Sequence, residues 1–498
     1  VPPDDVNTTS QNDSLTHRSA LLGTLAIVVT AGWVIPLLRF GFWLDETGTY
    51  YLVSSTWSEF IPRMSHVIQS PLHSVLLWLV FHAGFTSEIA LRLPGMVAML
   101  GAALFVYLIT VRLTDKHTAL LAAVLFAAMP KIQVQAGFAR PYGFAIAFGL
   151  GAFWAYWRWI ESPSLRNILL CIAFLTLAFY THVLFVTAAV VLAVYSGWRM
   201  IHIRDLRTRH LMVGAVVYLA LCIPILPYYL NAARNAREFA FLHPPGVADV
   251  LQISELGLVA GALVLTVGAA LFLLRKPRFA PAAVKDGALA FLAAWCLAPI
   301  GFLYIYSRFG PASVILDRYL LILYAGNAVG IAFLVRCFAS ARVQVAITCV
   351  TALLLVGGVY GKAPWAKPLR EDWRAVLTSV KKTIPSPNSV LLFNSGFIEA
   401  QTLTRHEKPD TLGFILAPLA AYPVPARIVS MPNTPAEQTS PFMERRLNAV
   451  METEREFFFV GNPSWFSWLL ERTGRRQYEA TLVAESRWLL AYRFSKKE

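Results

Sequence analysis

Apolar runs long enough to cross a bilayer recur from residue 19 to residue 360, separated by short polar breaks. A crossing helix needs about 20 predominantly apolar residues. The pattern predicts eleven, at 19–40, 94–111, 118–138, 141–160, 165–181, 183–198, 211–230, 255–274, 287–306, 319–336 and 342–360. An odd number places the two termini on opposite sides of the membrane. Residues 1–18 are polar and read as a disordered tail. The run from 19 lacks the small-residue cleavage pattern of a secretory signal, so it reads as a retained helix. The apolar stretch 71–85 carries His73 and His82 and is short for a crossing, so it reads as an interfacial helix in the first outer loop. After 360 the pattern changes to dense charge, prolines and short strand-like runs at 389–393, 427–430, 456–460 and 488–494, with helical stretches at 372–383 and 397–406. The expected fold is a polytopic α-helical membrane protein: a tail (1–18), a transmembrane domain (19–360) and a soluble α/β domain (361–498).

Composition agrees with that class. The 498 residues are 57% hydrophobic and 14% charged, with a mean hydropathy of +0.55, too apolar for a water-soluble protein. The formal charge of +14 would suit nucleic acid if the basic residues formed one patch. They instead form short clusters between apolar runs, as cytoplasmic loops do, and no nucleic-acid partner is expected. Those clusters are Arg112/Lys116, Arg158/Arg166, Arg199/Arg204/Arg207/Arg209, Arg275/Lys276/Arg278/Lys285 and Arg336/Arg342. All fall on the side of the N-terminus when 71–85 does not cross, and counting it as a crossing would invert everything after it. The positive-inside rule then makes the N-terminus cytoplasmic and the first loop and C-terminal domain outward-facing. The five cysteines lie inside apolar runs and imply no disulfide framework. No Walker loop, dinucleotide fingerprint or Cys/His metal spacing occurs.

The candidate chemistry lies at the outward ends of the helices. Asp45 and Glu46 stand together just after the first apolar segment, where a charged pair is costly to place. Further outward loops hold Gln69-Ser70-Pro71-Leu72-His73, Arg140-Pro141-Tyr142, Tyr180-Thr181-His182 and Asp317-Arg318-Tyr319. A carboxylate can take a proton from an attacking hydroxyl, and arginine forks suit phosphate oxygens. The combination fits transfer of a group from a lipid phosphate to an acceptor. The bland alternatives are that Asp45 and Glu46 mark where a helix leaves the bilayer, that Arg140 snorkels to head groups, and that Arg318 pairs with Asp317. The histidines lack metal-like spacing and read as loop residues.

These residues resemble the signature of the GT-C glycosyltransferases of the protein-mannosyltransferase and aminoarabinose-transferase type. The likeness rests on the Asp45-Glu46 pair after the first helix, on Ser70-Pro71-Leu72 followed by an amphipathic segment, and on Ser87 to Pro94 opening the next span. Gly137-Phe-Ala-Arg140-Pro-Tyr142 resembles a step found in bacterial galacturonosyltransferases of this group, and Arg318-Tyr319-Leu320 a late helix opening. The resemblance implies the GT-C fold, a polyprenyl-phosphate-linked sugar donor and an inverting transfer on the outer face of a bacterial inner membrane. It implies Asp45 as the catalytic carboxylate, with Glu46 beside it, and puts Arg140 where relatives place a polar site residue; with the outward-loop residues Tyr142, Arg318, Tyr319, Gln69 and His73, Arg140 makes up the expected substrate-binding set. No cofactor is expected; metal dependence stays open, with metal-independent catalysis the expectation because the second loop offers arginine instead of an acidic pair. Two departures, Gln69-Ser70-Pro71-Leu72 where many relatives carry His-Pro-Pro-Leu and the lack of a Glu-Lys pair, leave the sugar and the acceptor (lipid, glycan or protein) open. A polytopic transporter or lipid-linked-sugar flippase is the alternative, although such proteins place ionisable groups near mid-membrane in repeated halves. A non-catalytic assembly protein is the third reading.

Overall fold

The computed structural model describes all residues except 1–3, 67–69, 204–207, 232–243, 256, 258–260, 262–263, 265–267, 269–283, 311, 339, 361–369, 401–408, 434, 436–440, 475–476 and 498. Two compact units emerge, one from Val1–Leu37, Ser70–His73 and Arg92–Trp365, the other from Leu38–Gln69, Ser74–Leu91 and Ala366–Glu498.

The first unit is helical. Among the described residues, six helices are long and apolar enough to cross a membrane: Leu15–Arg39, Glu88–Leu113, Val183–His202, His210–Asn231, Ala288–Phe309 and Ala341–Val359. Tyr142–Glu161, Leu165–Thr181 and Leu321–Arg336 add further apolar helices. Tyr142–Glu161 is apolar nearly all round, which suits the helix to the interior of a bundle, and most of its residues are buried. The first helix starts at Asp4, well before residue 19, because no glycine or proline interrupts the chain between Pro3 and Gly23. Most of the expected span 255–274 lies outside the described residues.

The expected span 118–138 is corrected to two helices, Lys116–Ala128 and Pro130–Ala136, bent by 66°. Pro130 has no N–H to continue the ladder and forces Met129 into an extended conformation (ψ 128°). In apolar surroundings the carbonyls left at such a break need partners. The Trp33 indole N–H donates to the Ala127 carbonyl at 3.1 Å, and the Gln133 amide donates to that of Ala128 at 2.5 Å.

The bundle has two polar ends. Helix Tyr142–Glu161 has 20 residues and spans about 30 Å, the thickness of a hydrocarbon core. At its C-terminal end Glu161 pairs with Arg112 and, at 2.6 Å, with Lys285, while Asp115 takes Arg336 at 3.3 Å. These are the basic clusters that the charge pattern assigns to one side. The other end carries Arg140. Leu37 is at that end too: its carbonyl accepts from the Arg92 guanidinium at 3.1 Å, and it lies against Gly137.

The second unit is built on a five-stranded sheet, β1 (Val390–Phe393), β2 (Arg427–Ser430), β3 (Glu456–Gly461), β4 (Tyr478–Ser486) and β5 (Leu489–Lys496), in the order β2-β1-β3-β5-β4. β1 is parallel to β2 and β3, and β5 runs antiparallel between β3 and β4. Strands buried on both faces read as unbroken apolar runs, as VLLF of β1 and FFFV of β3 do. Alternate side chains feed two cores. Val390, Leu392, Phe457 and Phe459 pack with Leu447 and Trp465 of helices Pro441–Thr453 and Pro463–Gly474. Leu391, Phe393, Phe458 and Val460 pack with Trp373 and Leu377 of helix Trp373–Thr383. The pattern reading misses β4, whose residues alternate poorly because it is a half-exposed edge strand. Its turn into β5 uses Trp488 at φ 61°, where Asn-Gly would have announced a hairpin. The first-loop stretch belongs to this unit as helices Leu44–Val53, Trp57–His66 and most of Pro71–His82. Twelve residues make Pro71–His82 about 18 Å long, too short to cross.

Candidate active site

Asp45 stands in the first turn of helix Leu44–Val53. Trp43, in extended conformation, starts that helix, and its N–H donates to Glu46 Oε2 at 3.3 Å. Glu46 is fully buried and caps its own helix, which also suits the positive end of the helix dipole. Farther along, a Cβ on Gly48 would stand 2.8 Å from the Phe414 ring, so the helix rests closely on the C-terminal part of the unit. Phe42 is fixed there as well: its N–H donates to the Tyr422 hydroxyl at 2.8 Å, which donates in turn to Glu88 Oε1 at 2.7 Å. Arg374 adds an ion pair to Glu88 at 3.1 Å and a hydrogen bond to the Arg39 carbonyl at 2.7 Å.

Two further carboxyl groups feel the charge of Asp45. Burial pushes Glu371 above the usual carboxylate range and Asp45 adds to the shift, against a backbone hydrogen bond and the Arg370 guanidinium. Glu399 is raised the same way, by burial first and then by Asp45. Among the described residues, no three His, Cys, Asp or Glu side chains are grouped to hold a metal ion.

The helical unit gathers the second set of groups. The backbone turns sharply at Arg140, whose N–H donates to the Phe138 carbonyl at 2.8 Å, and Pro141 opens helix Tyr142–Glu161. The rings of Tyr142, His182 and Tyr319 form a cluster with centroids 5.8, 5.0 and 6.4 Å apart. The Arg318 guanidinium lies 5.5 Å above the Tyr319 ring. Burial lowers His182 to about 3, and the charges of Arg318 and Arg140 act in the same direction. His73 is also lowered to about 3, by burial and then by Arg140, and its ring lies 6.0 Å from Phe144. Both imidazoles are therefore neutral at physiological pH. His182 uses Nδ1 to accept from the Leu184 N–H at 3.3 Å, which leaves the proton on Nε2. Asp317 accepts from Lys131 Nζ at 2.9 Å and from the Arg318 N–H at 2.7 Å. The Lys131–Asp317 pair also acts electrostatically on Glu255, which sits at φ 56°.

The sequence model of the family described as dolichyl-phosphate-mannose-protein mannosyltransferase matches residues 68–228. The crystal structure of ArnT from Cupriavidus metallidurans in the apo state aligns with a TM-score of 0.57 at 13% identity, over 95% of this chain and 97% of that one. The same protein bound to undecaprenyl phosphate aligns with a TM-score of 0.53 at 15% identity, over 95% and 97%. The apo oligosaccharyltransferase of Archaeoglobus fulgidus gives 0.51 at 12% identity, over 94% of this chain and 73% of that one. The likeness shows that the chain has the fold of these membrane glycosyltransferases, the GT-C fold expected from the sequence. No curated protein matches it by sequence.

Within this GT-C fold, five of the residues singled out from the sequence, His73, Arg140, Tyr142, Arg318 and Tyr319, gather with His182 in the helical unit. Asp45 and Glu46 are in the second unit, and Gln69 lies outside the described residues. Three groups were not singled out as site residues. His182 reads as an ordinary loop histidine until the arginines are seen around it. Glu371 and Glu399 lie more than three hundred residues after Asp45, and local pattern carries no trace of their approach.

Proposed function

We propose that this protein transfers a sugar from a polyprenyl-phosphate-linked donor to an acceptor hydroxyl on the outward face of a bacterial inner membrane. ArnT of Cupriavidus metallidurans binds undecaprenyl phosphate, and the likeness of fold brings a lipid phosphate of that class into consideration here. The observation that carries the reading is the placement of Arg140 and Arg318 around one neutral histidine, between Tyr142 and Tyr319. With both histidines uncharged, the guanidinium groups are the cations of this cluster, and they suit the oxygens of a leaving phosphate.

Asp45 takes the proton of the acceptor hydroxyl. The oxygen attacks the anomeric carbon with inversion, the bond from that carbon to the phosphate oxygen breaks, and its electron pair stays on the phosphate. Arg140 and Arg318 stabilise the charge that develops there. Glu46 acts by fixing the helix that presents Asp45. The guanidinium groups supply the positive charge in this scheme without a metal. Eleven crossings, a cytoplasmic N-terminus and an outward C-terminal domain complete the reading.

Purified protein incubated with a panel of polyprenyl-phosphate sugars tests it. Consumption of one donor with release of the polyprenyl phosphate is the expected outcome, weakened in Arg140→Ala. Movement of a lipid-linked sugar across vesicles without donor consumption would overturn it in favour of transport.

A further inference from the structure

The second unit contains a cavity of about 180 Å³ that the transfer scheme leaves unused. It opens at the C-terminal ends of the parallel strands, where the chain leaves β1 at Asn394, β3 at Asn462 and β2 toward Asn433. Ligands of open α/β sheets bind at that edge. The asparagines are bonded into a fixed floor. Asn394 donates to the Pro432 carbonyl at 2.6 Å and accepts from the Asn462 N–H at 3.3 Å, and Asn462 donates to the Asn433 carbonyl at 2.8 Å.

Polar groups on the wall remain uncommitted. Trp373 lines the cavity, is 1% exposed, and has no acceptor for its indole N–H among the described residues. Glu371 lines it too, and one of its carboxyl oxygens has no partner among the described residues. Leaving such buried groups unmatched is costly unless something else binds there. At the rim, Trp488 is 52% exposed and held at φ 61° by the two-residue turn between β4 and β5.

The chemistry narrows the ligand. The volume equals that of about six waters, well below the several hundred Å³ of drug-sized pockets. The side-chain amide of Asn433 and the carboxyl group of Glu371 match vicinal hydroxyls, and the exposed indole of Trp488 matches the C–H face of a sugar ring. The carboxyl of Glu371, beside Asp45, disfavours an anion. Leu44, the residue before Asp45, also lines the wall.

We propose that this cavity binds one uncharged pyranose ring, the terminal sugar of the acceptor. Sugar binding stands on the cavity itself; the word acceptor rests on the transferase reading.

The test uses the full-length protein in nanodiscs and saturation-transfer NMR with methyl glucoside, galactoside, mannoside and N-acetylglucosaminide. Saturation of the ring protons of at least one is expected. Asn433→Ala should weaken that binding about tenfold, the scale of one or two lost hydrogen bonds. Trp488→Gly relaxes the left-handed backbone while removing the indole, and should weaken it similarly with an unchanged unfolding temperature. No binding of any pyranoside at millimolar concentration, or binding indifferent to both substitutions, overturns the proposal. Donor consumption is followed separately in the wild type. Pyranoside binding without donor consumption would remove the transferase reading yet leave the cavity a sugar site, whereas donor consumption without pyranoside binding would remove the cavity proposal alone.

Discussion

A Cβ on Gly143 would stand 2.3 Å from the carbonyl oxygen of Gly95, so helices Tyr142–Glu161 and Glu88–Leu113 meet backbone to backbone directly beside Arg140. Backbone cannot move aside as a flexible side chain can. Gly143→Ala should therefore cost about 1–3 kcal/mol and displace the Arg140 turn. Gly101→Ala is the control, since nothing lies within 4 Å of the added atom. Thermal unfolding in detergent should fall for the first and hold or rise for the second.

The histidine among the arginines makes stability depend on pH. His182 is lowered from 6.5 to about 3, so the unfolded chain binds a proton between those values that the folded protein does not. The stabilisation is complete above the unfolded value of 6.5 and is lost as pH falls toward 3, by up to about 1.4 kcal/mol per pH unit. His182→Asn keeps an acceptor for the Leu184 N–H and removes the titration. Its unfolding temperature should decline less between pH 6.5 and pH 5 than that of the wild type.

Arg140 and Arg318 both act on the His182 imidazole, and the proposed transfer has them serve one leaving phosphate. Loss of either should lower donor turnover about 10- to 100-fold, the scale of a charge-assisted hydrogen bond. The double substitution should cost less than the two single losses combined. Arg140→Lys should recover part of the loss, because it restores charge without the planar fork. Strict additivity would separate the two residues.

Tyr422 links the first loop to the C-terminal part of its unit through Phe42 and Glu88. Tyr422→Phe removes both hydrogen bonds while preserving the ring, at an expected cost of about 1–3 kcal/mol. Because that link fixes the segment leading to Asp45, catalytic turnover should drop more than donor affinity. A change in donor affinity alone would place the effect elsewhere.

The sequence made the membrane class and the residues of the Arg140 cluster legible. Arg140, Tyr142, Arg318 and Tyr319 stand out because charge and aromatic groups at the ends of apolar runs are costly to place without a use. The bend at Met129 was hidden, although Pro130 was visible, because a proline kinks some helices and merely starts others. The partners that make the bend stable, Trp33 and Gln133, are long-range on one side and local on the other. β4 was missed because an edge strand needs no alternating pattern. Glu371 and Glu399 were missed because charged residues in a polar domain carry no signal until the fold brings them to Asp45.

The most direct measurement is single-turnover transfer by Asp45→Asn in the presence of a consumed donor. General-base catalysis is worth about 10²–10⁴ in rate, so transfer should fall by that factor while donor binding and the unfolding temperature are retained. Transfer at the wild-type rate would contradict the assignment of Asp45 as the base.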